Sequence, residues 1–308
     1  MKKRIPIILI LSMLMSCFAV AAQATDSVVS SATSIYDPAN GVYRSVTDIT
    51  ENIQNASKDW EPSETEDEFI EHKQRVYESM VLGARGGVGY GFTYDSTFKT
   101  NYSTGVNIAY DIICPTTAGG NNANYLYLTA TNRAAKGVEA YVSYYGQNNL
   151  EFVVFDWARP EGSRWQVHIA YNDLKSYLKT KTIHGVSRQY LTVQSKTELI
   201  SGNTWRNTVF LQKADWSYDL VYSYTYTATL AEQQISSGAW WGPIVETFQS
   251  NYSNLNVMGF NNTYCAAADS NGTWSSWKLL STSQATIRND SLGFNVSFLD
   301  PNYGFGVY

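Results

Sequence analysis

The chain has 308 residues, with 22 Lys+Arg against 27 Asp+Glu. Residues 25–80 hold 12 of the acids and 4 of the bases, whereas residues 81–308 hold 15 of each, so an acidic N-terminal segment precedes a neutral body. No basic stretch is present to neutralise phosphates, which excludes a nucleic-acid-binding reading. Three histidines and three cysteines, with no CxxC and no metal-type Cys/His spacing, give no reason to expect a metal or a cofactor.

The first residues have the form of a bacterial export signal. Met1-Lys2-Lys3-Arg4 is basic, Ile5 to Ala22 is apolar and uncharged, and Ala22-Gln23-Ala24 has the small-x-small pattern of a cleavage site, so residues 1–24 are expected to be a signal peptide. An uncleaved anchor is the alternative, because the run approaches membrane-spanning length. Leu14-Met15-Ser16-Cys17 faintly resembles a lipoprotein box, so lipidation at Cys17 is a minor alternative. No later segment is apolar enough to cross a bilayer, and the expected product is secreted, without stable membrane insertion after cleavage. Cys114 and Cys265 then remain. Two cysteines in an exported chain suit one disulfide, whose large loop is worth roughly 2–5 kcal/mol if unstrained. Two free thiols are the other option.

Residues 25–62 are polar without a sustained period and read as a linker or a loosely packed arm. A helix is expected after Pro62, where Ser63 and Glu66 have capping-box spacing. Acids crowd its first turns, and Phe69, Val76, Tyr77 and Met80 form one apolar stripe. Residues 25–82 thus form an acidic segment. Gly83, Gly86, Gly87, Gly89 and Gly91 follow. No Gly-Lys-Ser/Thr completes a phosphate loop, so they read as a flexible junction into a strand.

Strand signals dominate from residue 83 to the end. They cover residues 106–113, 124–130, 137–145, 151–157, 165–170, 190–193, 204–212, 220–228, 241–249, 274–280 and 293–299, while residues 172–181 read as a short helix. Tyr222, Tyr224 and Tyr226 alternate with Ser223, Thr225 and Thr227 at period two. Polar turns such as Gly119-Gly120-Asn121-Asn122 separate the strands. Short strands with almost no helix predict an all-β, antiparallel β-sandwich or jelly-roll body over residues 83–308.

Two carboxylates stand apart from the surface acids. Glu139 lies inside Gly137-Val138-Glu139-Ala140-Tyr141-Val142-Ser143-Tyr144-Tyr145. Alternation puts it on one face with Tyr141, Ser143 and Tyr145, opposite Val138, Ala140 and Val142. Glu246 lies inside Trp240-Trp241-Gly242-Pro243-Ile244-Val245-Glu246-Thr247-Phe248. A carboxylate on an apolar face loses hydration and holds its proton longer, which suits acid–base chemistry near neutral pH. An exposed strand glutamate, or one paired with Arg133 or Arg206, carries the same local pattern. His168 and His184 lie in no serine- or zinc-hydrolase signature, and His168 fits a structural role. Tyr141, Tyr145, Trp240 and Trp241 flank the two glutamates and are the candidates for holding a substrate.

Val138-Glu139-Ala140, then Tyr144-Tyr145-Gly146 and Leu150-Glu151-Phe152-Val153-Val154-Phe155-Asp156-Trp157, resembles the first-glutamate region of the neprosin family of glutamic peptidases. Trp241-Gly242-Pro243-Ile244-Val245-Glu246, with Met258-Gly259 later, is similar to the second. The family places its glutamate directly after Gly-Gly, whereas Pro243, Ile244 and Val245 intervene here; the two-residue offset keeps strand parity. Phe260-Asn261-Asn262 replaces the family's Gly-Ser-Gly. The resemblance spans about residues 120–308. It implies a secreted endopeptidase that cleaves polypeptides with Glu139 and Glu246 as its catalytic dyad in a sandwich cleft, favoured in acid, with the acidic segment as an inhibitory propeptide or a plain arm.

Two other functions use the same residues. Val138-Glu139-Ala140-Tyr141-Val142 is also similar to the first catalytic strand of some xylanases, which implies a jelly-roll glycosidase. A lectin-like carbohydrate-binding module is the third option, because nine Trp and 23 Tyr can line a stacking platform, with Trp240, Trp241, Trp274 and Trp277 as candidates.

Overall fold

A computed structural model describes residues 34–62, 65–71, 89–94, 104–114, 126–132, 136–144, 150–183, 185–233, 241–247, 258–279, 285–288, 296–300 and 304–307. The signal over residues 1–24, Cys17 and the glycine junction at 83–88 lie outside them. So do His184 and the rest of the expected helix from residue 72. Among the described residues no helix is long and apolar enough to cross a membrane.

The strands form two sheets. The smaller runs β16-β3-β13-β5-β6-β7-β8. Its strands are Ala285–Arg288 (β16), Gly89–Tyr94 (β3), Trp241–Thr247 (β13), Leu126–Asn132 (β5), Val138–Tyr144 (β6), Leu150–Asp156 (β7) and Trp165–Ile169 (β8). The larger runs β1-β2-β12-β11-β10-β4-β14-β18-β17, with β9 beside β10 and β15 beside β14. It comprises Ser34–Asp37 (β1), Val42–Asp48 (β2), Gly105–Ile113 (β4), Lys179–Ile183 (β9), Val186–Ser201 (β10), Thr204–Gln212 (β11), Tyr218–Thr227 (β12), Met258–Ala268 (β14), Lys278–Leu279 (β15), Val296–Asp300 (β17) and Gly304–Val307 (β18). The architecture is the expected all-β sandwich, antiparallel apart from the β2–β12 pair.

The core lies between the sheets. Val138, Ala140, Val142, Phe152, Val154, Val167 and Ile169 of the small sheet meet Ile108, Tyr110, Ile112, Leu191, Val193, Val209 and Leu211 of the large one. Tyr110 donates its hydroxyl to the Ala140 carbonyl at 3.0 Å, joining the layers. One polar node interrupts this core. Asp156 is fully buried and accepts hydrogen bonds from Tyr222 (2.6 Å), Asn207 (2.8 Å) and the Ala158 N–H (2.8 Å). Burial pushes its carboxyl up to about 6 against these bonds, which pull it down.

The N-terminal segment departs from the expected linker. Residues 34–48 form a hairpin, and β2 adds in parallel to β12 through Tyr218↔Val46 and Leu220↔Asp48. Ile35 and Val46 pack on Phe210, Tyr218 and Leu220 of the large sheet. Helix α1, Thr50–Ser57, then packs against β8, and Ile53 reaches the core edge. The hairpin's short polar strands carry little alternation of their own; they are strands because a sheet edge receives them.

Cys114 and Cys265 do not form the expected disulfide; both are free and buried. The register explains it. Cys265 pairs with Ile108, and Cys114 follows Ile113 at the far end of β4. Six residues of strand put them roughly 20 Å apart along the ladder, far beyond disulfide reach. Burial instead pushes each thiol up to about 12. The expected helix at 172–181 is one turn, Tyr171–Leu174, followed by strand β9.

Candidate functional site

Strand β6 divides its side chains as the alternation predicts. Val138, Ala140 and Val142 enter the inter-sheet core, while Tyr141 joins a second cluster on the outer face of the small sheet. Glu139 shares that outer face and is 3% exposed. Trp157, just beyond β7, donates its indole N–H to Glu139 Oε1 at 2.8 Å. Across the ladder Glu139 pairs with Phe155, and Tyr141 pairs with Val153.

This outer face is covered by the acidic segment. Residues 66–71 form a helical turn, capped by Thr65 and Glu68; Ser63, of the expected Ser63/Glu66 box, lies outside the described residues. Glu68 Oε2 accepts from Thr65 N–H and Oγ1, both at 2.9 Å, and Glu68 N–H returns to Thr65 Oγ1 at 3.3 Å. Glu66, one residue past the cap, reaches Arg164 instead. Its Oε2 accepts the Arg164 backbone N–H at 3.1 Å, and its Oε1 lies 3.2 Å from Arg164 Nη1 as a charge contact. Phe69, one turn on, is fully buried against Phe155 (4.7 Å between ring centroids), Trp165 (5.4 Å) and Tyr141 (6.0 Å, stacked). Burying that ring contributes roughly 2–3 kcal/mol. Trp60 stacks on His168 at 4.5 Å with the rings nearly parallel. With both faces covered, all seven residues of β7 are buried, and Leu150–Asp156 reads as a continuous apolar run apart from its two acids.

The ladder also locates Glu246. Glu139 pairs with Thr131, and Thr131 pairs with Gly242 on β13, while Glu246 pairs with Tyr127. Position 246 therefore belongs to the same alternation set as position 139, two strands across and four residues along. Standard strand spacings put their α-carbons roughly 16 Å apart. Trp241 opens β13 opposite Asn132. Tyr145 and Trp240 lie outside the described residues.

Glu151, Trp157 and Arg164 escaped the sequence reading, and His168 was read as structural. His168 faces Glu151, Nε2 to Oε2 at 2.7 Å, making an acid–base pair on the same outer face. Glu151 follows a polar turn and so looks like a surface acid, but its parity with Phe155 was the available signal. Trp157 was visible only as the end of an aromatic strand. Arg164 gave no local signal; its guanidinium lies over the Trp157 ring at 5.4 Å, behind the indole that holds Glu139.

No family model and no curated protein sequence matches the chain. Among solved structures, it is similar to scytalidoglutamic peptidase bound to a peptide-based transition-state analogue. That match has a TM-score of 0.37 and 11% identity, over 72% of this chain and 97% of that one. It is similar to the same extent to SCP-B, a member of the eqolisin family of peptidases in complex with the tripeptide Ala-Ile-His, at a TM-score of 0.37 and 10% identity over 72% and 97%. A bacteriophage tailspike enzymatic domain matches at a TM-score of 0.24 and 11% identity, over 63% of this chain and 27% of that one. Overlaps this small assign no role to any residue.

Proposed function

We propose that the chain is a peptidase that hydrolyses peptide bonds on the outer face of its small sheet, with Glu139 and Glu246 as the acid–base pair. One observation carries the reading: polypeptide of the acidic segment, Trp60 and residues 65–71, already lies on the face that holds the buried, indole-bonded Glu139. A surface that accommodates one peptide segment has the shape and apolar lining for another.

In this reading one glutamate takes a proton from water as the oxygen attacks the peptide carbonyl. The other gives a proton to the amide nitrogen as the C–N bond breaks. The Trp157 N–H fixes the plane of the Glu139 carboxyl. Backbone positions roughly 16 Å apart leave room between the two strands for a peptide group and a water rather than a directly shared proton. Residues 60–71 act as an inhibitory segment that must leave before a substrate enters. The hairpin at 34–48 belongs to the large sheet and stays.

A second reading has its own observation. Tyr36 stacks on Trp277 and meets Tyr43 edge-on at 5.3 Å, and Tyr43 and Trp216 are exposed. These rings fit a glycan-binding platform on the large sheet.

The test is cleavage of an unfolded mixed-protein substrate from pH 3 to 8 by the full chain and by a chain with Glu66→Gln and Phe69→Ala, which loosens the segment. Acid-favoured cleavage, faster in the loosened chain, is expected. No cleavage by either at any pH removes the peptidase reading and leaves the glycan platform.

A further inference from the structure

The helical turn at 66–71 is held to the sheet mainly by two side chains. Glu66 and Phe69 are buried, Ile70 is half-buried, and Asp67, Glu68 and Glu71 are exposed. The surface beneath is built independently of them. Trp165 donates its indole N–H to Tyr141 Oη at 2.9 Å, Phe155 meets Trp165 edge-on at 5.5 Å and Trp157 at 4.9 Å, and Val153 is buried among them. These contacts fix a pocket walled by aromatic rings, and Phe69 fills it. Beside it stands Arg164, which reads the Glu66 carboxylate through its backbone N–H and its guanidinium. Among the described residues its buried Nε finds no acceptor. That donor is left over for a better-placed anion.

We propose that this pocket is a side-chain subsite for an aromatic residue of a bound polypeptide, and that Arg164 selects an acidic residue on its N-terminal side. Glu66 and Phe69 are the chain's own occupants of the two positions. Rings within 4.7–6.0 Å favour an aromatic guest through offset and edge contacts, and a small side chain leaves the space unfilled. The pocket adjoins the proposed chemistry, because Phe155 is the ladder partner of Glu139 and Trp157 bonds its carboxyl. The role in cleavage rests on the peptidase reading; the binding does not. The helical occupant spans the two positions with residues three apart.

The test uses the full chain with Glu66→Ala, Phe69→Ala and Glu139→Gln, which empties the subsite and blocks hydrolysis. The probe is the blocked heptapeptide Thr-Glu-Asp-Glu-Phe-Ile-Glu, and the readout is tryptophan fluorescence. Saturable binding is expected, at least tenfold weaker when the peptide's Phe is Ala or its first Glu is Gln, and no binding to the unsubstituted chain. Equal affinity for the Phe and Ala peptides, or no binding by a folded variant, overturns the proposal. If the triple variant does not fold, Phe69→Leu with Glu139→Gln keeps an apolar plug. It is expected to bind the probe more weakly, with the same order of peptides, and loss of that order overturns the proposal equally. Binding without hydrolysis by a chain that retains Glu139 removes the peptidase reading and keeps the subsite. Hydrolysis with no preference for aromatic residues removes the subsite and keeps the peptidase.

Discussion

Trp157 donates its indole N–H to Glu139 Oε1 at 2.8 Å, while Arg164 lies over the same ring at 5.4 Å. The carboxyl proposed for chemistry is thus positioned by an aromatic side chain that an arginine covers. Trp157→Phe keeps most of the ring packing and removes the donor. It is expected to lower kcat on the order of 10–100-fold at temperatures where the chain is folded, and to lower stability by on the order of 1–3 kcal/mol, because a buried carboxyl loses a donor. Steady-state kinetics with a thermal melt check it. An unchanged kcat contradicts the positioning role.

Glu66→Gln removes the charge that Arg164 meets. The segment is then held by Phe69 and Trp60, and losing one charge-assisted contact costs it on the order of 1–3 kcal/mol. Amide exchange over residues 65–71 should accelerate while β7 keeps its protection, and cleavage of unfolded protein should rise several-fold. Uniform acceleration of both regions places the effect in global stability instead.

Burial pushes the Asp156 carboxyl up to about 6, from 3.8 for an unperturbed aspartate. Between these values the folded chain binds more protons than the unfolded one, so this group makes stability fall as pH rises from about 4 to 6. Its stabilising contribution is full below the unfolded value and is lost above the folded one. Asp156→Asn stays neutral throughout and retains an acceptor oxygen. The difference in unfolding free energy between the parent and this variant should change by on the order of 3 kcal/mol from pH 3.5 to 7. Denaturant titrations at both pH values measure it, and a constant difference contradicts the assignment.

Cys114 and Cys265 are buried thiols on positions the ladder holds apart. Reductant should leave the unfolding midpoint unchanged. A thiol reagent at pH 8 should label neither in the folded chain and both after denaturation. A drop in midpoint on reduction contradicts the free-thiol state.

The sequence shows most of the strands and hides what covers them. Where one face is apolar and the other polar, as in Val138–Tyr144, alternation names the inward residues correctly. It fails along β10, expected only at 190–193 but running Val186–Ser201, because inward Thr197 is buried on a hydrogen bond to Asn207 rather than on apolar contact. The hairpin at 34–48 has no core of its own, and its pairing with β12 is a long-range choice. Ser63/Glu66 and Thr65/Glu68 both satisfy capping-box spacing. Glu66 meets Arg164, nearly a hundred residues away, and no local pattern carries that contact. The face that Glu139 occupies was legible because one strand defines it. The cover over it was not, because Trp60, Phe69 and Arg164 meet only in the fold.

The most direct test is the rate at which the loosened chain, with Glu66→Gln and Phe69→Ala, cleaves unfolded protein at its optimal pH, measured with and without Glu139→Gln. If Glu139 is an acid–base catalyst, the substitution should lower kcat by on the order of 10²–10⁴-fold with the fold intact. A rate within threefold of the parent contradicts the account.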